Sequence, residues 1–339
     1  MADKLDRTFT YASKLKLDDL PAGPEVPDDR TGLVYVHDRV LKLAVEVALT
    51  AGRPLLLRGK PGTGKSSLAA YIARNLGWCY YEHVVTAATE ARDLLWRLDA
   101  VRRLADAQIP RTDGTTLGQH EYIEPGVLWW ALNPDSAVLR GADDRSKIER
   151  QAVDPFACVN RGRDPDRAVV LIDEIDKADP DVPNGLLVPL GSLEFHVSPI
   201  QKTIGVDDKP SAKDPWPLTK ALVIITTNEE RDLPDAFLRR CVVHEIREPT
   251  DEQLIRIAQA HFGRGSKAKD TPLFKKIAAK VVDLRKEASR KGVKPPSTAE
   301  YLDAIRAVRS LGLTIDSPEW EHVERLVLGK HRTLSDAES

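Results

Sequence analysis

The ten residues 58–67, RGKPGTGKSS, constrain the fold more than any other stretch, because they fit the pattern G-x-x-x-x-G-K-[ST] at every fixed position. Those fixed positions are occupied by Gly59, Gly64, Lys65 and Ser66. An apolar run at 54–57 precedes the pattern and is typical of a buried strand, while 67–73 follows it with the apolar spacing of a helix. A strand, a glycine-rich loop and a helix in this order predict a phosphate-binding loop.

The chemistry of such a loop explains its residue types. Glycines let the chain turn tightly, so that backbone N–H groups converge on the β- and γ-phosphate oxygens above the positive end of the helix. Lys65 adds a mobile positive charge, and the Ser66 hydroxyl can ligate Mg²⁺. We therefore predict ATP and Mg²⁺ as cofactors; the alternative is an incidental glycine-rich turn. The residues assigned to nucleotide binding are Gly59, Pro61, Gly62, Thr63, Gly64, Lys65, Ser66 and Ser67.

Composition limits the class of protein. With 339 residues, 42% hydrophobic and 30% charged, the chain has the length of two domains and the composition of a soluble globular protein. The formal net charge of −2 argues against non-specific nucleic-acid binding, although a local basic pore in an assembly is still compatible with it. No apolar run has the length of a membrane span and no signal-peptide core is visible, so we expect a cytoplasmic protein. The three cysteines are far apart in sequence, which argues against a disulfide framework or a zinc site.

Helices and strands alternate along most of the chain, which then becomes all-helical. Helical spacing at 37–52 and a run of β-formers at 78–85 flank the loop and its helix, and apolar runs at 167–176 and 221–228 are typical of central parallel strands. From 251 to about 313 the pattern is helical. This order predicts an α/β fold, a parallel-sheet domain followed by a smaller all-helical lid. The predicted segments are a mobile arm at 1–30, the α/β domain at 31–248, the lid at 249–325 and a tail at 326–339.

Parts of the α/β domain are less regular. The apolar spacing at 89–108 predicts one long amphipathic helix. Trp129 and Trp130 either face a partner or, in the interpretation we prefer, lie in the core. Insertions are predicted near 86–166 and 203–220, and the second is expected to be a long exposed loop. The apolar face of the 89–108 helix would carry Leu94, Leu95, Leu98, Val101 and Leu104.

Two acids end the strand VVLIDEID. Phosphoryl transfer needs stabilisation of the developing charge and a correctly aimed water molecule. Asp173 can hold Mg²⁺, and Glu174 can act as the general base that accepts a proton from the attacking water. The alternative is a solvated strand end, which is less attractive because a phosphate loop lies upstream.

The next strand and the short segment after it supply three further candidates. Asn228 ends the strand LVIITTN, and parallel strands deliver their carboxyl ends to one edge of the sheet, so it can orient the water or contact the γ-phosphate. Arg239 and Arg240 precede a later strand, where an arginine could reach the γ-phosphate of a neighbouring subunit. The alternatives are a turn asparagine and a pair of surface arginines.

The motifs together resemble AAA+ ATPases, and more narrowly the MoxR branch with CoxD-like ATPases that act beside von Willebrand factor A domain proteins. The resemblance covers roughly residues 35–310. It implies Walker A at 59–66, Walker B at Asp173 and Glu174, sensor 1 at Asn228, and an arginine finger at Arg240 with Arg239 as the alternative. The similar stretches are GKPGTGKSS, TEARDLLWRLDAVRRLADAQ, YIEPGVLWWAL, VVLIDEIDKADPDVPNGLLVPL, TTNEERDLPDAFLRRC and KPPSTAEYLDAI.

The same resemblance implies ring assembly, usually as hexamers, and ATP hydrolysis coupled to the remodelling of a protein partner. It also implies that the insertion around 86–130 faces the pore and that 203–220 is the hairpin before sensor 1. Two features depart from the family. The lid helix that begins near Ser297 lacks an early arginine as sensor 2, which leaves Arg306 or no sensor 2 at all. Lys65 and Asp173 are 108 residues apart (173 minus 65), more than a minimal AAA+ core needs, and the segment 135–166 is expected to be extra surface that could dock a partner.

Three functions are compatible with these residues. The first is a chaperone-like ATPase motor acting on a protein partner, and the second is an AAA+ subunit of a nucleic-acid-processing, restriction or defence complex. The third is a non-hydrolysing nucleotide-gated scaffold. The near-neutral charge weighs against the second, and the presence of both Glu174 and Asn228 weighs against the third.

Overall fold

The computed structural model describes residues 35–36, 39–108, 117–206, 220–262, 270–315 and 317–329. The predicted arm at 1–30, most of the loop at 203–220 and most of the C-terminal tail lie outside these residues. The chain divides into two compact units. The first contains the described parts of 39–58 and 72–244, and the second contains those of 16–38, 59–71 and 245–339.

The helices and strands follow the predicted alternation. The strands are β1 (Leu55–Arg58), β2 (Trp78–Val84), β3 (Trp96–Leu98), β4 (Ile123–Pro125), β5 (Asp164–Asp173), β6 (Glu194–Val197), β7 (Lys202–Gly205), β8 (Ala221–Thr227) and β9 (Val242–Glu245). The helices are α1 (Arg39–Ala51), α2 (Lys65–Leu76), α3 (Ala100–Gln108), α4 (Val127–Leu132), α5 (Pro134–Val138), α6 (Ala157–Asn160), α7 (Asp181–Gly185), α8 (Leu187–Ser192), α9 (Asp235–Leu238), α10 (Asp251–Phe262), α11 (Thr271–Lys291), α12 (Thr298–Leu311) and α13 (Pro318–Val323).

A five-stranded sheet organises the first unit, in the order β2-β5-β8-β1-β9. The neighbours β2 and β5, β5 and β8, and β8 and β1 are parallel, which confirms the predicted parallel sheet. Every residue of β8 is buried, as expected for a central strand covered on both faces. Because Arg58 pairs with Thr227 and Ile172 with Ile225, the carboxyl ends of β1, β5 and β8 meet at one edge.

Helix α4 forms part of the core beneath this sheet. All six of its residues are buried, and the Trp129 ring lies edge-on to Phe195 with 5.8 Å between ring centroids. Trp129 and Trp130 are 0% and 3% exposed, so the preferred interpretation of these side chains as core aromatics is confirmed. Neither indole is placed to contact a partner.

The single helix predicted at 89–108 is wrong. A 3-10 turn at Ala91–Leu94 leads into β3, which pairs antiparallel with β4, and only α3 is helical. The Asp99 side chain accepts a hydrogen bond from the Arg102 N–H and fixes the start of α3. Pairing with a strand that is distant in sequence thus overrides the local helical spacing. The predicted apolar face is also wrong in part, because Val101 and Leu104 are exposed.

Two further expectations for the first unit need correction. The segment 135–166 is not all extra surface, since Ala137 and Asn160 are buried and the Asn160 side chain accepts a hydrogen bond from the Tyr80 N–H at 2.7 Å. The loop expected from residue 203 starts later, because β7 pairs antiparallel with β6 as far as Gly205.

The second unit is built around helices, as predicted. Helices α10, α11, α12 and α13 share one core, with Phe274, Ile277 and Tyr301 among its most buried residues. Helices α11 and α12 both end at a glycine with positive φ, Gly292 and Gly312. In the part of the chain that the structure describes, no helix has both the length and the apolar character needed to cross a membrane.

Candidate phosphate-binding and hydrolytic site

The phosphate-binding loop continues directly from the last residue of β1 into the first turn of α2. Its three glycines have positive φ, 142° at Gly59, 74° at Gly62 and 88° at Gly64, a conformation that other residues rarely adopt. A Cβ atom at Gly62 would also lie only 2.5 Å from the Ser297 Cβ. Both backbone conformation and space therefore require glycine at this position.

Lys65 is folded over this loop. Its side chain is almost fully buried, and its ammonium group donates hydrogen bonds to the carbonyls of Gly59 at 2.6 Å and Lys60 at 2.9 Å. The Thr63 hydroxyl donates to the same Lys60 carbonyl at 2.9 Å. Neutral carbonyls are weaker partners for an ammonium group than phosphate oxygens are. The loop thus holds a buried cation that an anionic ligand can attract.

The two predicted acids are joined through Thr226, a fully buried residue of β8. The Thr226 hydroxyl donates to Asp173 Oδ1 at 2.6 Å and accepts a hydrogen bond from the Glu174 N–H at 2.8 Å. Glu174 has a φ of 61°, in the left-handed region that is uncommon for a non-glycine residue. Strained backbone of this kind occurs preferentially at functional sites.

The Glu174 carboxylate is held by groups from two elements. Its Oε1 accepts a hydrogen bond from the Asn228 side-chain amide at 3.1 Å, and its Oε2 forms an ion pair with Lys177. The hydrogen bond to Glu174 raises the pKa of Lys177, because it favours the charged ammonium. The structure therefore brings Asp173, Glu174 and Asn228 together, as their positions at the strand ends predict.

Asp176 fixes the backbone at and after Asn228. Its carboxylate is 3% exposed and accepts hydrogen bonds from the N–H groups of Asn228 at 3.1 Å and Glu230 at 2.9 Å. The sequence patterns did not single out Thr226, Asp176 or Lys177. The sequence signal that could have indicated these residues is the cluster of polar residues in TTN and DEIDK, at the ends of two apolar runs.

Arg239 and Arg240 follow the short helix α9 and precede β9, as predicted. Both residues are exposed. Arg240 donates to the Ala236 carbonyl at 3.1 Å, and the Arg239 carbonyl accepts a hydrogen bond from the Arg53 guanidinium at 2.8 Å. The Arg240 contact is local and the Arg239 contact uses its backbone carbonyl, so neither contact draws a guanidinium group away from the surface.

The alternative sensor 2, Arg306, points to partners inside the lid. Its guanidinium lies 2.6 Å from Asp303 and stacks over the ring of Phe262 at 6.0 Å from the ring centre. The start of α12 instead carries a capping box, in which Ser297 and Glu300 bond reciprocally. Ser297 therefore stands beside the phosphate loop, with its side chain close to Gly62.

Comparison with known proteins gives a family for most of the sheet-bearing region. A family model described as an AAA domain of the dynein-related subfamily matches residues 54–241. No curated protein matches the chain.

The similar solved structures are distant. One RuvB variant of Thermotoga maritima is 15% identical, with a TM-score of 0.43 over 85% of this chain and 67% of that one. A second RuvB mutant from the same organism is 16% identical, with a TM-score of 0.40 over 80% of this chain and 60% of that one, so this chain spans less than two thirds of it. A protein described as an ATPase from Cytophaga hutchinsonii is 14% identical, with a TM-score of 0.41, and the match covers 100% of this chain and 93% of that one.

Proposed function

The chain belongs to the AAA domain family, in its dynein-related subfamily, and we propose that it is an ATP-hydrolysing AAA+ motor of the MoxR type that remodels or activates a partner protein. One observation carries the enzymatic part of this proposal. The Glu174 carboxylate follows a central strand and accepts a hydrogen bond from Asn228, which follows the adjacent strand. A carboxylate and an amide at neighbouring strand ends have the chemistry to accept a proton from a water molecule and to orient that water.

ATP and Mg²⁺ are the cofactors that the residues fit. The positive φ angles of the three loop glycines and the buried Lys65 ammonium suit a polyphosphate. Asp173 is a buried carboxylate with a hydroxyl partner, and oxygen ligands of this kind are the ones that magnesium prefers. Bound Mg²⁺ neutralises phosphate charge. We propose Ser66 and Asp173 as its protein ligands, with Gly59, Pro61, Gly62, Thr63, Gly64, Lys65, Ser66 and Ser67 as the nucleotide-binding residues.

The other catalytic roles divide between this chain and a neighbouring copy. Glu174 accepts the proton of the attacking water, and Asn228 holds the carboxylate in place. Arg240, or Arg239 in its stead, supplies positive charge to the γ-phosphate bound by the next subunit. The exposure of both arginines supports this role. An arginine supplied by the next subunit makes activity depend on a ring. We propose that this ring is a hexamer and that it lies in the cytoplasm.

The partner is proposed from the resemblance alone. A protein with a von Willebrand factor A domain suits a MoxR-type motor. The alternative, a subunit of a nucleic-acid-processing or restriction complex, has no observation in its favour here, and the net charge of −2 weighs against it. DNA-stimulated turnover with a steep salt dependence would favour that alternative.

The experiment is to measure ATP turnover and ATP binding by the purified full chain with Mg²⁺, beside two lysine variants. Lys65→Ala is expected to lose ATP binding, while Lys275→Ala, which removes an exposed lysine of α11, keeps both activities. Wild-type affinity in Lys65→Ala would contradict the assignment of the loop. Capture of partners with Glu174→Gln, which is expected to hold ATP without cleaving it, then identifies the client.

A further inference from the structure

Two separate segments of the second unit touch the phosphate loop. The linker at 246–249 is the first. A Cβ atom at Gly59 would collide with the Ile246 carbonyl oxygen, and Lys60 forms an ion pair with Glu248 at 3.3 Å. The start of α12 is the second, through the close contact between Gly62 and Ser297. The loop therefore has one neighbour before the helical bundle and another inside it.

One side chain joins these two segments. Arg285 of α11 is 9% exposed, and its guanidinium donates from Nε to the Pro296 carbonyl and from the NH1 nitrogen to the Pro249 carbonyl, both at 2.9 Å. Pro249 directly follows Glu248, and Pro296 directly precedes Ser297. Because the guanidinium is planar and rigid, these two bonds fix the distance between the linker and the start of α12.

Burial of the Arg285 guanidinium costs free energy, which its contacts must offset. Burial lowers the pKa of Arg285, and the negative charge of Glu248 acts in the opposite direction. Glu248 therefore forms an ion pair with Lys60 of the loop, and its charge also acts on Arg285 of the bundle. A buried guanidinium whose hydrogen bonds go to two backbone carbonyls serves to hold segments in place more than to form a strong ion pair.

We propose that Arg285 is a positioning residue that couples occupancy of the phosphate loop to the helical lid, an inference that rests on the proposed nucleotide-binding function. The Lys65 ammonium is bonded to the carbonyls of Gly59 and Lys60, the two residues that face the linker. A polyphosphate draws Lys65 from those carbonyls and so changes the loop where the linker touches it. Arg285 transmits that change to Ser297.

The test uses the full chain and a matched pair of lid arginines. Arg285→Met keeps the length of the side chain and removes both hydrogen bonds. Arg309→Met removes a cation that pairs with Asp270 at 3.7 Å and stacks over Phe262, contacts that stay within the bundle. We expect Arg285→Met to weaken ATP binding about tenfold, within the usual range of coupling between sites, and Arg309→Met to change it by less than about twofold.

Hydrogen exchange adds a measurement that a loss of stability alone does not explain. In the wild type and in Arg309→Met, ATP is expected to slow amide exchange in 62–66, in 246–248 and in 299–302. In Arg285→Met it should slow exchange in 62–66 only. Arg285→Lys keeps the charge but lacks the planar guanidinium that donates both hydrogen bonds. The effect of ATP on its amide exchange should therefore lie between those in the wild type and in Arg285→Met. It serves as the decisive variant if Arg285→Met does not fold.

The outcomes separate this inference from the proposed function. If the wild type binds no ATP, the proposed function fails and the coupling fails with it. If the wild type binds ATP and slows exchange in the lid, but Arg285→Met, or Arg285→Lys where Arg285→Met does not fold, does so to the same extent as Arg309→Met, Arg285 does not couple the two segments and only this inference is overturned.

Discussion

The acidic cluster and the arginine pair contain the residues proposed for catalysis, yet they are built differently. In the cluster, the buried Thr226 hydroxyl bonds to both Asp173 and Glu174, and the Asn228 side chain bonds to the Glu174 carboxylate. The backbone N–H of Asn228 is held in turn by the Asp176 carboxylate. The arginines directly follow the four-residue helix α9 and are exposed, and the Arg240 guanidinium donates to the Ala236 carbonyl of that helix.

This difference indicates where each region acts. Groups that are fixed before substrate arrives lose little free energy to reorganisation when charge develops, so the cluster suits chemistry on a ligand of its own chain. Exposed guanidinium groups on a short helix suit a phosphate presented from outside. The comparison predicts that damage to the cluster acts within one subunit, whereas damage to the arginines acts on the next one.

The largest effect is expected from Glu174→Gln. The amide cannot accept a proton, so kcat should fall by about 10²- to 10⁴-fold, the usual worth of a general base. ATP affinity should stay within a few-fold of the wild type. Steady-state hydrolysis and equilibrium binding check this, with Glu194→Gln on the exposed edge of β6 as the control. A variant that still turns over at the wild-type rate would remove Glu174 from the mechanism.

Arg240→Ala should have the next largest effect. We expect ATP binding to persist while hydrolysis slows at least about tenfold, because transition-state charge loses a partner. Arg239→Ala distinguishes the two candidate arginines, and Arg256→Ala, which removes an exposed arginine of α10, is the control. If all three variants hydrolyse ATP at the same rate, neither Arg239 nor Arg240 contributes to catalysis.

Thr226→Val tests the organisation of the cluster with a smaller change. It breaks the link between Asp173 and Glu174, and leaving buried polar groups without a partner costs about 1–3 kcal/mol of the free energy of unfolding. The neighbouring Thr227 is also buried, and its hydroxyl accepts a hydrogen bond from the Glu229 N–H at 2.9 Å. Thr227→Val should lose similar stability in urea unfolding, but only Thr226→Val should lower kcat, by about tenfold, because it displaces catalytic groups. An equal loss of kcat in Thr226→Val and Thr227→Val would contradict a special role for Thr226.

The smallest effect concerns Cys241, which directly follows the arginine pair. Burial raises its pKa to about 11, against a weaker opposing influence of Arg53 and Arg58. The folded chain therefore binds more protons than the unfolded chain between the ordinary thiol value of 9.0 and about 11, so stability should fall as pH rises through this window. Urea unfolding at pH 8.5 and pH 10.5 should show a smaller decline in Cys241→Ala than in Cys158→Ala, whose thiol is exposed. An identical decline would show that folding does not raise the pKa of Cys241.

Sequence patterns were informative where a short local segment dictates the geometry. The glycines of the phosphate loop and the apolar runs that end in Asp173 and Asn228 made the meeting of strand ends predictable, because parallel strands share an edge. Helix α1 was predictable for the same reason, since its apolar spacing is local and Gly52 ends it.

The remaining features depend on partners distant in sequence. The strand β3 forms because Trp96 and Leu98 pair with residues of β4, and no local sequence pattern indicates that pairing. The role of Thr226 is not visible in the sequence, because its two hydrogen bonds involve residues more than 50 positions away. Arg285 was equally invisible, as both of its acceptors are backbone carbonyls that any residue could supply.

The central claim is that a cluster fixed in one subunit is completed by an arginine from the next, and mixing two inactive variants tests it most directly. Arg240→Ala has an intact loop and cluster, and Lys65→Ala has an intact arginine. In an equal mixture, roughly a quarter of head-to-tail interfaces combine an intact loop with an intact Arg240, so ATP turnover should rise well above that of either variant alone. A mixture that assembles but hydrolyses no faster than the average of its components would contradict the claim.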